Sequence, residues 1–507
     1  MQETNQKIGH FIYQLRQERG LTQAAFAKKL GTSQSAVNRI EHGKQNLSLE
    51  TLGRISDVLN KPIISISGGA VNLRVEGGHE LKGQITLKTN KNGTVAILCA
   101  SLLNKGTTKI KNVPRIEEVN RIIEVLTSIG VHIRWTDNSD LEIKVPKKLE
   151  LDKMNKESAR KTRVVILLAG ALMHEFSFFK IPYAGGCEIG KRSVLPHIYA
   201  LEEFGTEVVA HSGHYNISVK RHLPKRPVVL YESGDTTTEN AILAAARIEG
   251  QTVIKMASAN YQVQDLCLFL QKLGVKIQGI GTTELRIRGL KNIKRNVSYS
   301  PSEDPVEAMT FIAAAITTNS AITIKRAPIE FLELEMLKLE KMGMKFTISE
   351  RYKADNGFTD LVDITIHKHN GNLNAPEEKI YGRPYPGLNI DHVSYFVPIV
   401  ACAKGRSLIH DWVYEGRAIM YTEMKKIGVD LELADPHRVF INGPTQWRAA
   451  DIVAPSGLRP AVILLIGMLA APGISILRNV YTINRGYEEL AARLNDLGAN
   501  ISVMHEI

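Results

Sequence analysis

The 507-residue chain is predicted to be α/β (α+β), with a two-lobed body of six repeated αβ units behind a small all-α domain. Three observations support this. First, a short β-rich run, a polar turn, an amphipathic helix, an apolar residue followed by Gly, and a strand recur from about residue 70 onward. The helix-ending glycines are Gly130, Gly205, Gly274, Gly343, Gly428 and Gly498, at intervals of 75, 69, 69, 85 and 70 residues. Second, the first 66 residues carry only helical periodicity. Third, 507 residues exceed a single core, while one unit of about 70 residues is too small to bury much alone, so three units per lobe is the economical assembly.

Taken in order, residues 1–66 form the first domain. Ile8, Phe11, Ile12 and Leu15 mark one helix, Phe26 and Leu30 a second, Val37 and Ile40 a third, and Leu49, Leu52, Ile55 and Leu59 a fourth. Gly31 suits the left-handed turn that ends a helix, and Ser33 suits the cap of the next. A short helix, a Gly turn and a short helix make a helix-turn-helix. Residues 67–90 supply a linker, with two glycines in SISGGAVN, and the first strands of the C-terminal lobe. Residues 91–301 form one lobe and 302–507 the other. The apolar run PAVILLIGMLAAPGISI, residues 460–476, is too short to cross a membrane comfortably and reads as a buried helix and a strand.

The net charge of +12 favours anionic partners. The four cysteines are far apart and form no CxxC pair, which argues against a disulfide framework or structural zinc. His367 and His369 are a weak metal pair, and no metal is expected. The start MQETNQKIGH lacks the features of a secretory signal, so a cytoplasmic location is expected. Cys99, Cys267 and Cys402 lie in apolar helical runs and read as core. Cys187 does not. It lies in AGGCEIGKRSVLPHI, residues 184–198, where Lys191 and Arg192 would lower a thiol pKa and the glycines permit a lid.

The segment LTQAAFAKKLGTSQSAVNRIEHGKQNLSLETL resembles the Cro and lambda-repressor-like helix-turn-helix family. The resemblance implies DNA binding by a homodimer. Gln34, Ser35 and Asn38 would read base edges, with Gln23, Arg39 and Lys44 placed for phosphates.

The repeat is similar to the enolpyruvyl transferase fold, a two-lobed inside-out α/β barrel. The loop motif GGCxIGxR resembles the UDP-N-acetylglucosamine enolpyruvyl transferase family, which opens peptidoglycan synthesis. The resemblance covers residues 70–507. It implies transfer of the enolpyruvyl group from phosphoenolpyruvate to a sugar hydroxyl, with no cofactor. It assigns proton donation to Cys187, the target of the thiol-alkylating inhibitor fosfomycin, and the attacking hydroxyl's base to Asp391. It gives Lys91, Arg163, Arg192, Arg459 and Arg485 to phosphoenolpyruvate. It gives Asn92, Arg192, His197, Asp304, Asp391 and Arg417 to the UDP-sugar. Arginine and lysine suit a small trianion because their donors match phosphate and carboxylate oxygens.

Departures from the family pattern fall on the nucleotide side. Ser193 and Leu195 stand in the Pro and Asp places, Asp235 is an added acid in ESGDTTTENAI, Pro305 follows Asp304, and Gly457 replaces an Asp. Two alternatives follow: a different nucleotide acceptor, or a metabolite-sensing regulator with an idle transferase body.

Overall fold

The computed structural model describes residues 2–45, 47–59, 71–137, 139–185 and 193–505. Four helices open the chain, Gln2–Glu18, Gln23–Leu30, Gln34–Glu41 and Leu49–Leu59. Three of these ends have a clear local cause. The Thr22 hydroxyl accepts from the Ala25 N–H at 3.1 Å, and the Ser33 hydroxyl from the Ala36 N–H at 3.2 Å. Gly31 ends the second helix at φ 65°, a conformation that costs other residues strain. Ile12, Leu15, Phe26, Val37, Ile55 and Leu59 close the core. A buried ion pair between Arg16 and Glu41 ties the first helix to the third.

The body has two lobes, each with its own apolar core and three sheets. The helices lie inside and the sheets outside. In the second lobe Pro305–Thr317, Val393–Ala401 and Leu458–Ala470 pack on one another, and every residue of the first two is buried. Helices hydrophobic all round can only be central. The first lobe does the same with Lys91–Ala100, Asp235–Ala245 and Tyr261–Lys272. The six repeat glycines all have φ between 85° and 102°, so each unit turns from helix to strand through the left-handed region.

Strand Val71–Gly77 lies antiparallel between Gly473–Arg478 and Asn500–His505, so the body's first strand completes the last sheet. Strand Lys82–Thr86 runs parallel to Ala321–Pro328 in the same lobe. The chain therefore crosses between lobes twice, near residues 88–90 and 302–304. These crossings are bonded side by side, with the Asn90 N–H donating to Ser302 at 2.8 Å and the Asp304 N–H to Lys88 at 2.9 Å. The long apolar run is the buried helix Leu458–Ala470 followed by strand Gly473–Arg478. Cys99 and Cys267 are buried, and Cys402 is partly so. Burial pushes the Cys402 thiol up to about 12, which leaves it inert.

Candidate active site

The crossings set out the site. Asn90 is fully buried; its Oδ1 caps helix Lys91–Ala100 by accepting from Gly93 at 2.6 Å. Its amide donates to Asp265 at 2.6 Å and to the Ser302 carbonyl at 2.9 Å. Lys91 and Asn92 are thereby fixed on the first turn, beside the hinge. A cation there opposes the helix dipole. Glu118 offsets this, with Lys91 Nζ 2.5 Å from its carboxylate. Burial alone would raise the Glu118 carboxyl, but Lys91 and Arg485 hold it below its usual range. Asn92 donates to the Tyr261 hydroxyl at 3.1 Å.

The second lobe supplies the other charges. Asp391 accepts from Arg417 at 3.4 Å and from Arg459 at 3.3 Å. Burial would raise its carboxyl, but Arg459, Arg417, Lys91 and His392 outweigh that and hold it at about 2. Asp304 caps helix Pro305–Thr317, accepting from the Val306 N–H at 2.8 Å. Burial raises the Asp304 carboxyl against the pull of Arg459 and Lys91. The Arg459 Nε is buried without a hydrogen-bond partner among the described residues, a donor left over for a ligand. The charge of Lys91 from one lobe therefore acts on Asp304 and Asp391 of the other, and Arg485 of that other lobe acts with Lys91 on Glu118, across the candidate cleft between the lobes.

Arg417 is placed differently from a substrate contact. It is 1% exposed, and its guanidinium is bonded to both oxygens of Asp411 and to the Ile390 carbonyl. Its reach into the cleft is through Asp391. His197 is also 1% exposed, with Asn240 at 3.2 Å and Thr236 at 3.4 Å. Burial, then the Arg163 charge, lowers its pKa to about 3, so the imidazole is neutral. Arg163 donates to the Ser193 carbonyl at 3.0 Å, holding the end of the cysteine loop. Cys187 and Arg192 lie outside the described residues.

Three residues here carry no sequence assignment or only a partial one. Glu118 is one of two acids in IEEVNRI, where a helix's first turn ordinarily favours acids for the dipole alone. Tyr261 opens the helix Tyr261–Lys272 among Asn260, Gln262 and Gln264, and it is buried. Asp235 begins helix Asp235–Ala245 and accepts from Ser258 at 2.5 Å and Asn260 at 3.0 Å. Its carboxyl is raised by burial and by the Asp391 charge of the other lobe.

On the third helix of the first domain, Gln34, Ser35, Asn38 and Arg39 are exposed. Gln23 instead turns inward and donates to Glu41 at 2.8 Å. Among the described residues no cluster of His, Cys, Asp or Glu is arranged to hold a metal, and no helix is long and apolar enough to cross a membrane. His369 is occupied locally, beside the Ile316 carbonyl at 3.1 Å.

A family model described as EPSP synthase (3-phosphoshikimate 1-carboxyvinyltransferase) matches residues 75–494, and a helix-turn-helix model matches residues 12–66. A UDP-N-acetylglucosamine 1-carboxyvinyltransferase of Bradyrhizobium diazoefficiens is 32% identical, over 85% of this chain and 98% of that protein. One of Treponema denticola is 31% identical, over 85% of this chain and 98% of the relative. Among solved structures, the enolpyruvyl transferase NikO from Streptomyces tendae aligns with a TM-score of 0.71 at 21% identity, covering 87% of this chain and all of that one. An EPSP synthase from Acinetobacter baumannii aligns at 0.66 and 16% identity, over 86% of this chain and all of that one. At those identities the structures speak for the fold alone.

Proposed function

The chain belongs to the EPSP synthase family of enolpyruvyl transferases, fused to a helix-turn-helix domain, and on that premise we propose that it transfers the enolpyruvyl group of phosphoenolpyruvate to the 3-hydroxyl of UDP-N-acetylglucosamine. One observation carries the reading. Asp391 of the second lobe is bonded to Arg459 and feels Lys91 of the first lobe, while Glu118 feels both Lys91 and Arg485, which supports a cluster of cations from both lobes. A small trianion is the ligand that such a set of cations neutralises.

The chemistry then follows from the side chains. The acceptor oxygen bonds to the substituted vinyl carbon of phosphoenolpyruvate, and its proton passes to Asp391. The terminal vinyl carbon takes a proton, assigned to the Cys187 thiol. Loss of phosphate and of a proton from that same carbon restores the double bond. Asp391 at about 2 is a weak base while Arg459 grips it. Phosphoenolpyruvate competes for Arg459, loosens that grip and raises the basicity of Asp391 when substrate is present. Arg417 keeps the carboxylate in place through Asp411 and the Ile390 carbonyl. The departures RSVLP and ESGDTTTENAI sit on the acceptor side.

Phosphate release from phosphoenolpyruvate with UDP-N-acetylglucosamine, lost in Cys187→Ala, tests the reading. No turnover by the wild-type chain with that acceptor would remove it.

A second acceptor is favoured by Asp235. Among the described residues its carboxylate is bonded by the neutral Ser258 and Asn260 side chains, and it repels a phosphate near the head of its helix. A panel of uridine nucleotides distinguishes the two readings. Faster turnover with an acceptor lacking the diphosphate, reversed in Asp235→Ala, would favour the second.

A further inference from the structure

The helix-turn-helix domain is bonded to both lobes. On the first lobe, the Arg19 guanidinium lies 3.5 Å from Glu117 and 3.7 Å from Glu124. The Trp135 indole donates to the Glu18 carbonyl at 3.1 Å, and Arg115 donates to the Arg19 carbonyl. Gly20 packs so closely on Trp135 that a Cβ there would collide with the ring. On the second lobe, Lys29 forms an ion pair with Glu489.

Arg115 joins all three parts. Its guanidinium stacks on Trp135, 3.5 Å from the ring centre, while reaching Arg19. Its backbone N–H donates to Glu488 of the second lobe at 2.8 Å. Glu488 also takes Lys88 of the crossing at 3.3 Å. The anchors lie next to the candidate site in the chain. Glu117 holds Arg19, and the next residue, Glu118, holds Lys91. Glu488 and Glu489 follow Arg485 by three and four residues.

An anion bound by Lys91 and Arg485 takes Lys91 from its ion pair with Glu118 and offsets the Arg485 charge that Glu118 also feels. Because these cations come from different lobes, the same anion also fixes the lobes against each other. Both effects fall on the elements that seat the DNA-binding domain. Its exposed Gln34, Ser35, Asn38 and Arg39 take no part in the docking, so the seat sets the position of the reading face without covering it.

We infer that the protein has a further function, DNA binding that responds to phosphoenolpyruvate in the interlobe cleft, transmitted through the seat formed by Arg115, Glu117, Trp135 and Glu489. The inference rests on the assignment of Lys91, Arg459 and Arg485 to phosphoenolpyruvate. Linkage makes it reciprocal, so DNA must change phosphoenolpyruvate affinity by the same factor.

The test uses the full chain and a duplex that it selects from a random pool. Duplex affinity is read by fluorescence anisotropy with and without phosphoenolpyruvate, whose own binding is followed by calorimetry. The expected response is a change in duplex Kd of about fivefold or more. Lys29→Glu and Trp135→Phe, both outside the cleft, should each cut the response below about twofold while still binding phosphoenolpyruvate. The pair Lys29→Glu with Glu489→Lys should restore it. A duplex Kd indifferent to phosphoenolpyruvate that does bind, variants that respond like the wild type, or failure to select any duplex each overturns the inference. Absence of calorimetric binding overturns the cleft assignment, and this inference with it.

Discussion

The interlobe cleft and the third helix of the first domain both present polar groups to a ligand, but they hold them in opposite ways. In the cleft Lys91 is paired with Glu118, Arg459 with Asp391, and Arg417 with Asp411 before any ligand arrives. On the helix Gln34, Ser35, Asn38 and Arg39 stand in water. Burial makes an internal counter-charge necessary, since an unpaired buried ion is too costly. A ligand in the cleft therefore displaces a protein partner, whereas one on the helix displaces solvent. Substitutions should accordingly act strongly and on different properties in the cleft, and weakly and with a salt dependence on the helix.

The largest effect tests the cleft directly. Arg459→Ala removes a preorganised donor and should lower kcat/KM roughly a thousandfold, with a smaller loss of stability than Arg417→Ala because Asp391 keeps Arg417. Arg417→Ala should do the reverse in kind. It strands the buried Asp411 and should destabilise the fold by about 3–5 kcal/mol in urea titrations. If Arg417→Ala left stability intact and only weakened nucleotide binding, its role as a buried anchor would be wrong, and a direct substrate contact would be right.

A smaller effect separates buried from exposed groups by pH. His197 in the folded chain titrates at about 3, against 6.5 ordinarily, because burial and then Arg163 disfavour the imidazolium. Below about 6.5 the unfolded chain takes up a proton that the folded chain refuses until about 3, so stability falls as pH drops between those values. His174, lowered to about 4 chiefly by burial, adds to the slope. His197→Gln should reduce the loss of stability between pH 6.5 and 4 by up to about 1.4 kcal/mol per pH unit. An unchanged slope would mean that His197 is protonated in the fold.

These contrasts also explain what the sequence could disclose. The six glycines were legible because a left-handed turn after each helix demands them, and the first domain because caps and periodicity are local. Lys91, Asp391, Arg459 and Arg485 could be named through a family resemblance, and in the fold the Lys91 and Arg459 charges both act on Asp391 while Lys91 and Arg485 both act on Glu118. Glu118 could not be singled out, since its meaning depends on Lys91, 27 residues away in sequence, and on Arg485 in the other lobe. Nor could Arg417 be told from a surface contact, because its burial against Asp411 is a tertiary fact. Gln23 was open to the same confusion; Glu41 turns it inward.

The smallest expected effect lies on the exposed helix and divides residues that look alike in sequence. Arg39 is exposed; as the proposed phosphate contact, its replacement in Arg39→Ala should weaken binding to every duplex alike and reduce the slope of log affinity against log salt by about 1. Asn38→Ala should leave that slope alone and relax discrimination at one base position, at a cost of about 1–3 kcal/mol against the preferred base. Neither should alter transferase turnover, because neither residue touches the body. Gln23→Ala should instead lower the stability of the first domain, since its amide is bonded to the Glu41 that pairs with Arg16. A change in salt slope from Gln23→Ala, with stability unmoved, would mean that its side chain leaves Glu41 for the DNA backbone. Burial would then not separate the two regions so cleanly.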